Sequence, residues 1–209
     1  MTSEYRAKSA YLSEAAATSY DKKRFYGKVG SGMHRLEMNA MRTLLEATNG
    51  ANPVLDIASG TGRVSRILRE QDRDVVAFDI SQQMMAQGNP GTPVVGDAER
   101  LPFRENSFEV VTCLRFFGHL TPSARRNVIT EMARVSSRYV VVAYYHRRAS
   151  AVVKNAVSRL RGHKAPRYLV TQRDLEQDFA AAGLRLVKSC STGLQVSGIV
   201  HLAEIVGKR

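Results

Sequence analysis

The chain has 209 residues, 44% of them hydrophobic, and a formal net charge of +12. This length is enough for one α/β domain with a full core, and a second full domain is not expected. No apolar run reaches the roughly 20 residues of a membrane span, and the first residues lack the apolar stretch of a secretory signal, so we expect a soluble, cytoplasmic protein.

The residues before the first predicted strand fall into two parts. Residues 1–32 combine positive charge with glycines and are expected to form an N-terminal cover segment. Tyr20 or Tyr26 would contact a ligand there, with Tyr26 the candidate for the substrate, or both tyrosines would be half-buried on a plain surface. Residues 33–209 are expected to form a single domain. Apolar residues at helical spacing from Met33 to Leu45 predict one helix before the sheet.

The most informative segment is Val54 to Ser65, an apolar strand followed by a small-residue turn and a helical pattern. Gly60 and Gly62 lack a Cβ, so the backbone can take positive φ and approach a ligand closely. Asp56 places a carboxylate at the end of the strand, which suits a ligand that carries an amine. From this turn alone, a tight connection without a ligand is an equal alternative.

Two further acids follow the next two predicted strands. The strand from Asp74 ends on Asp79, a residue that can accept two ribose hydroxyls, although dinucleotide-binding folds have an acid at a similar position. After the short strand at Val94, Asp97 and the backbone amide of Ala98 are expected beside the same crevice. A carboxylate that accepts from an exocyclic amine, together with an amide that donates to a ring nitrogen, would read adenine.

These motifs resemble the class I S-adenosylmethionine-dependent methyltransferases, in particular the small-molecule group with an Asp-x-(Gly/Ala)-x-Gly-x-Gly turn, from Pro53 onward. The resemblance implies S-adenosyl-L-methionine as cofactor and S-adenosyl-L-homocysteine as product. It also implies a set of cofactor contacts. These are Asp56, Ala58, Ser59, Gly60 and Gly62 at the methionine part, Asp79 at the ribose, Ile80 on adenine, Asp97, Ala98 and Glu99 at the adenine edge, and Leu114 beneath the sulfonium. Ala58 stands where many members have glycine, which predicts a negative φ there.

The remaining pattern predicts a Rossmann-like, doubly wound α/β fold with helices on both faces of the sheet. Thr121 and Pro122 begin a helix, a strand follows at 138–144, and Thr171 to Asp174 resembles a capping box. Strands at 184–190 and 198–206 are expected to form a terminal hairpin. The resemblance implies seven strands, mostly parallel, with the last one antiparallel.

Basic residues are concentrated after the fifth strand, in residues 146–170, an expected insertion before the sixth strand. Its Lys and Arg residues, with no acid among them, are Arg147, Arg148, Lys154, Arg159, Arg161, Lys164 and Arg167. One interpretation is a lid, with Arg147 contacting an acidic acceptor such as a phosphorylated or carboxylated metabolite, a lipid-linked sugar or RNA. The other is a solvated amphipathic helix. Its inward-facing residues would then be Val152, Val153, Ala156, Val157 and Leu160.

Candidates for chemistry lie at the ends of the fourth and fifth strands. A hydroxyl acceptor would need a general base, for which His119 is the first candidate and His146 the second, and each has the alternative of a structural histidine. Arg115 and Tyr145 are candidates for binding the acceptor, with a solvent-facing arginine as the alternative for Arg115. No pair of histidines or carboxylates has metal-ligand spacing near the crevice. The two cysteines, Cys113 and Cys190, are expected in the core.

We therefore predict an enzyme that methylates a small, acidic metabolite or a lipid-linked intermediate, with oxygen, nitrogen and carbon acceptors all open. An RNA methyltransferase is one alternative, but the Asn-Pro-Pro-Tyr and Asp-Pro-Pro-Tyr sequences that grip a base amine are absent. An NAD(P)-dependent oxidoreductase is another, although its fingerprint needs a third glycine where this chain has Ser65. A non-catalytic module that binds the cofactor is the third.

Overall fold

Seven strands form one sheet in this computed structural model, which describes residues 13–25, 28–88, 91–147, 168–192 and 198–206, together with 152–153, 156–157 and 160. The strands are β1 (Val54–Ile57), β2 (Val75–Asp79), β3 (Thr92–Val95), β4 (Phe108–Cys113), β5 (Ser136–Tyr145), β6 (Leu184–Ser191) and β7 (Gly198–Ile205). The helices are α1 (Glu14–Phe25), α2 (Lys28–Glu46), α3 (Arg63–Arg69), α4 (Gln82–Ala86), α5 (Pro122–Val135) and α6 (Gln172–Ala181). A single 3₁₀ turn, Phe117–His119, follows β4.

The strand order is β3-β2-β1-β4-β5-β7-β6. Strands β1 to β5 pair in parallel, and β7 is antiparallel to both of its neighbours, β5 and β6. The predicted doubly wound, seven-stranded sheet is confirmed. Because the order reverses between β1 and β4, the carboxyl ends of these two strands open a crevice in which α/β proteins bind their ligands.

The central strands are buried because helices cover both faces of the sheet. All four residues of β1 are buried, as expected for an interior parallel strand. One core layer packs α5 and α6 against the sheet, and the other packs α2 and α3 against the opposite face. Cys113 is fully buried, and burial raises the pKa of its thiol well above the ordinary value, so it is a core residue; Cys190 is only partly buried.

Helix starts follow the predicted caps. Thr121 accepts a hydrogen bond from the Ala124 amide at the start of α5, and Thr171 and Asp174 form the reciprocal capping box of α6. Among the described residues ahead of β1, two helices precede the sheet where the sequence predicts one. Helix α2 begins at Lys28, ahead of the expected start at residue 33, and α1 lies within the expected cover segment.

The basic insertion differs from the solvated-helix interpretation. Its described residues 152–153, 156–157 and 160 are helical, but their side chains are exposed rather than packed inward. Leu160 is 87% exposed and Val153 is 62% exposed. The expected apolar contact with the domain is therefore wrong for these residues.

None of the described helices is long and apolar enough to pass through a bilayer.

Candidate active site

One cleft lies at the carboxyl ends of β1, β2 and β4. It contains about 830 Å³ of empty space, part of it open to solvent. The residues that line it are Tyr20, Ala58, Ser59, Gly60, Thr61, Arg63, Phe78, Asp79, Ile80, Met84, Gly96, Asp97, Ala98, Leu114, Arg115, Phe116 and His119. The switch in strand order thus gathers residues from the turn after β1 and from the loops after β2, β3 and β4 around one space.

The turn after β1 consists of left-handed backbone. Gly60 has φ 54° and Gly62 has φ 76°, and Gly62 is the N-cap residue of α3. Ala58 has φ 53°, so the negative φ predicted for it is wrong. The turn imposes this conformation, which costs an L-residue roughly 1–2 kcal/mol, and alanine has the smallest side chain that carries a Cβ.

Asp56 does not line the cleft, in contrast to its expected contact with the methionine part of a ligand. Its side chain is 1% exposed, and it accepts hydrogen bonds from the Ser65 amide, the Ser65 hydroxyl and the Thr112 hydroxyl. Burial raises the pKa of this carboxyl to about 6, although the three hydrogen bonds oppose the shift. Asp56 therefore fixes the start of α3 against β1 and β4.

Asp79 lies in the cleft at the end of β2. One carboxylate oxygen accepts from the Gly60 amide at 2.9 Å and the other from the Ser81 amide at 2.8 Å, so the acid also holds the glycine turn. Burial raises the pKa of Asp79 above its ordinary value despite these bonds. Ile80 lines the cleft beside it.

The loop after β3 supplies two of its three expected residues. Asp97 and Ala98 line the cleft, and an Asp97 oxygen also accepts from the Glu99 amide. Glu99 itself is 6% exposed, does not line the cleft, and accepts a hydrogen bond from Asn127 of α5 at 2.9 Å. Its expected contact with the adenine edge is wrong because the side chain points to the helix instead.

After β4, Leu114, Arg115 and His119 all reach the cleft. The 3₁₀ turn that carries His119 lies close to β5, since a Cβ on Gly118 would come within 2.5 Å of the Tyr145 ring. Tyr145 is 3% exposed and does not line the cleft, so it supports this turn instead of facing an acceptor.

Arg115 belongs to a buried charge cluster that the sequence does not reveal. The Glu37 carboxylate of α2 accepts from Nη1 of Arg115 through its two oxygens, at 2.9 and 3.1 Å, and also pairs with Arg63 at 3.5 Å. Burial alone would lower the pKa of Arg115, but Tyr145, Glu37 and Tyr20 outweigh it and raise the pKa. With 8% exposure, the solvent-facing alternative for Arg115 is wrong.

The N-terminal helices close one side of the cleft. Asp21 of α1 accepts a hydrogen bond from the Thr61 hydroxyl at 3.0 Å, and Tyr20 lines the cleft. From α2, His34 contacts Arg63 through its Nδ1 at 3.2 Å. Burial and, to a smaller extent, the nearby charge of Arg63 lower the pKa of this imidazole, which favours the neutral form that can accept a hydrogen bond. Tyr26 lies outside the described residues.

His146 is not at the cleft. Its Nε2 lies 2.9 Å from the Nε2 of His201, whose Nδ1 contacts the Ser189 hydroxyl. Burial, together with His146, lowers the pKa of His201 to about 3. The expected position of His146 beside the acceptor is therefore wrong, because the imidazole belongs to a buried pair between β5 and β7.

The basic candidates are placed only in part. Arg147 is exposed, and its amide donates to the Val170 carbonyl, whereas the other six basic residues of the insertion lie outside the described residues. Within the described parts of the chain, no group of three or more His, Cys, Asp or Glu side chains is arranged to hold a metal ion.

A seven-stranded sheet with antiparallel β7, a glycine turn after β1 and acids after β2 and β3 define a class I methyltransferase domain. Residues 54–138 match a family model described as "Methyltransferase domain", and the chain has the fold of the class I S-adenosylmethionine-dependent methyltransferases.

Curated relatives carry related names. A demethylmenaquinone methyltransferase of Beutenbergia cavernae is 39% identical over 109 residues, which are 50% of this chain and 44% of that protein. A ubiquinone/menaquinone biosynthesis C-methyltransferase of Cupriavidus metallidurans is 34% identical over 145 residues, 64% of this chain and 57% of that protein. The chain thus spans about half the length of the curated relatives it matches.

Among solved structures, magnesium protoporphyrin IX methyltransferase of Synechocystis PCC 6803, with bound S-adenosylhomocysteine, superposes with a TM-score of 0.77. That comparison covers 95% of this chain and 97% of the other at 18% sequence identity. The likeness therefore concerns the fold.

Proposed function

We propose that this protein transfers a methyl group from S-adenosyl-L-methionine to a small acceptor that is anionic or becomes so on losing a proton. The observation that carries the proposal is the shared cleft, in which Asp79 and Asp97 face the same space as Arg115 and His119. The acids suit an adenosine, and the cation and the imidazole suit an acceptor.

The cleft has the groups that such a cofactor needs. Among the described residues, the buried Ser59 hydroxyl has no hydrogen-bond partner, although it lines the cleft, which marks a place where a polar ligand atom would satisfy it. Gly60 exposes backbone at the same turn. Asp79 would accept ribose hydroxyls, Asp97 would accept from the exocyclic amine of adenine, and the Ala98 amide would donate to a ring nitrogen.

The bound cofactor supplies a methyl group on a sulfonium, whose departure leaves a neutral thioether. The chain's own residues then have to align the acceptor, exclude water and hold any proton that the acceptor loses. Leu114 and Phe116 give the cleft apolar walls. His119 is the group that would take a hydroxyl proton, and the Arg115 guanidinium would stabilise the resulting oxyanion.

For the acceptor, the names of the curated relatives make a demethylated quinone precursor the first compound to test. A ring hydroxyl that ionises gives an anion delocalised onto ring carbon, which is compatible with C-methylation as well as O-methylation. The pairing of two arginines with the single carboxylate of Glu37 favours such an anionic ring over a neutral amine.

Calorimetry with S-adenosylhomocysteine and with NADH tests the cofactor. We expect micromolar binding of the first and none of the second, and tight NADH binding would contradict the proposal. Methyl incorporation from labelled cofactor into quinone precursors, and into cell extracts at low and high salt, then tests the acceptor. Labelled RNA with a steep salt dependence would favour the RNA alternative.

A further inference from the structure

The insertion after β5 presents an apolar face to solvent. Val152, Val153 and Val157 are 40%, 62% and 39% exposed, Leu160 is 87% exposed, and Ala156 is exposed as well. Their spacing puts all five on one side of a helix. Such a face on an otherwise well-packed domain indicates an interaction surface.

The positive charge of the same segment limits the chemical class of partner that can bind there. Seven Lys and Arg residues and no acid occur between residues 146 and 167. A protein partner would need a strongly acidic surface with an apolar stripe. RNA would satisfy the charges but would leave the valines and the leucine in water. An anionic bilayer satisfies both, because its headgroups attract the bases and its acyl boundary accepts the apolar face.

The segment leaves and re-enters the domain beside the cleft. The Arg147 amide donates to the Val170 carbonyl at 2.8 Å, and the Tyr168 amide donates to the Gly118 carbonyl at 2.9 Å. Gly118 precedes His119, which lines the cleft. Tyr168 is 44% exposed, and an amphipathic ring of this kind suits a headgroup region.

We propose that the exposed apolar face of Val152, Val153, Ala156, Val157 and Leu160 is a docking surface for an anionic lipid bilayer. The docking is peripheral, with the apolar face at the headgroup boundary, and it brings the mouth of the cleft to the membrane. An acceptor held in lipid would then reach the cleft without crossing water, a consequence that rests on the proposed function, whereas the docking itself does not.

Sedimentation with sucrose-loaded vesicles tests the docking. We expect the full chain to co-sediment with phosphatidylcholine vesicles that contain roughly a third phosphatidylglycerol and to stay in solution with phosphatidylcholine alone. Raising the salt concentration should release part of the protein, since exposed charges are screened. Equal recovery with both vesicle types, or none with either, overturns the proposal.

A matched pair of variants separates the apolar face from charge. Val153→Asp with Leu160→Asp should lower partitioning onto anionic vesicles at least tenfold. Val187→Asp with Val206→Asp introduces the same charge at valines that are 48% and 55% exposed elsewhere, and should lower it far less. If the two double variants lose vesicle partitioning to the same extent, the contact is only electrostatic and the bilayer proposal fails. It fails likewise if added RNA displaces from the vesicles a variant that still binds them.

The affinity for S-adenosylhomocysteine, measured on the same variants, keeps the two proposals distinct. Loss of vesicle binding with unchanged affinity supports the docking surface, because the fold and cleft are then intact. Wild-type protein that binds vesicles but not S-adenosylhomocysteine would support docking and overturn the proposed function.

Discussion

The Asp79 carboxylate both lines the cleft and holds the glycine turn, two features that the sequence pattern does not connect. It lines the cleft where a ribose would lie, and it also accepts from the Gly60 and Ser81 amides. A ligand that binds this acid therefore binds a group whose position the glycine turn already fixes, which reduces the ordering needed on binding.

Replacing Asp79 should weaken cofactor binding. If Asp79 binds the ribose as proposed, Asp79→Ala removes two charge-assisted hydrogen bonds, and we expect calorimetry with S-adenosylhomocysteine to show a loss of about 1.5–3 kcal/mol. Glu105→Ala, at an exposed acid in the turn before β4, is the control and should bind as the wild type does. Unchanged affinity in Asp79→Ala would mean that the ribose is held elsewhere.

Asp56 predicts an unusual pH dependence of stability. Its pKa rises from 3.8 to about 6 on burial, so the folded state holds the proton between these values. The contribution of this carboxyl to stability is greatest below the unfolded pKa and is lost as the pH rises through the folded pKa. By pH 7 the loss amounts to about 3 kcal/mol.

Urea unfolding of the wild type and of Asp56→Asn, each at pH 4 and pH 7, measures this effect. The variant cannot titrate at this position, so the free energy of unfolding of the wild type should fall relative to the variant between the two pH values. The same difference at both pH values would show that Asp56 keeps an ordinary pKa in the fold.

The two candidate histidines should separate in kinetics. His119→Ala removes the imidazole at the cleft, and we expect kcat to fall about 100-fold or more while S-adenosylhomocysteine affinity is kept. His146→Ala is the comparison: it breaks the contact with His201 and should lower the melting temperature more than kcat. The reverse pattern would move the base to His146.

At the scale of elements, α1 contacts the glycine turn after β1 through Asp21 and Thr61, and α2 contacts the start of α3 through His34 and Arg63. Thr61→Val removes the hydroxyl that donates to Asp21 and keeps the side-chain volume. We expect faster hydrogen exchange in α1 and a several-fold loss of S-adenosylhomocysteine affinity, since one hydrogen bond is worth about 0.5–1.5 kcal/mol. Thr43→Val, at an exposed position of α2, should leave both unchanged.

The sequence predicts those elements whose signals are local. The end of β2 at Asp79, the loop position of Asp97 after β3, the caps at Thr121 and Thr171, and the final antiparallel strand pair all agree with the structure. Local patterns can do this because burial period, capping and the pairing of two consecutive strands each depend on residues that are near in sequence.

Other features depend on contacts between distant residues. Arg115 and Glu37 are 78 residues apart in the sequence, and His146 and His201 are 55 apart. No rule based on sequence spacing predicts either contact. The φ of Ala58 is set by the turn as a whole, not by the residue. The side chain of Glu99 is oriented by its hydrogen bond with Asn127 of α5, and the position of that helix is known only from the fold.

At the scale of the whole molecule, a buried ion pair and a hydrogen bond connect α5, α6 and β5, and we expect them to contribute to stability. Arg125 pairs with Asp178, which also accepts from the Tyr144 hydroxyl. Arg125→Met leaves this carboxylate buried without its cation, and we expect about 3–5 kcal/mol less stability in urea unfolding. The double variant with Asp178→Leu should recover most of the loss, and a double variant as unstable as the single one would contradict this account.

The position of β7 has a consequence for the order in which the chain can fold. Strand β7 is synthesised after β6, yet it lies between β5 and β6 and pairs with both. Until its residues leave the ribosome, β5 and β6 have no shared neighbour, and each presents an unpaired edge. The nascent protein therefore completes its sheet by inserting a strand between β5 and β6, and we expect it to be most prone to edge-to-edge association before that insertion.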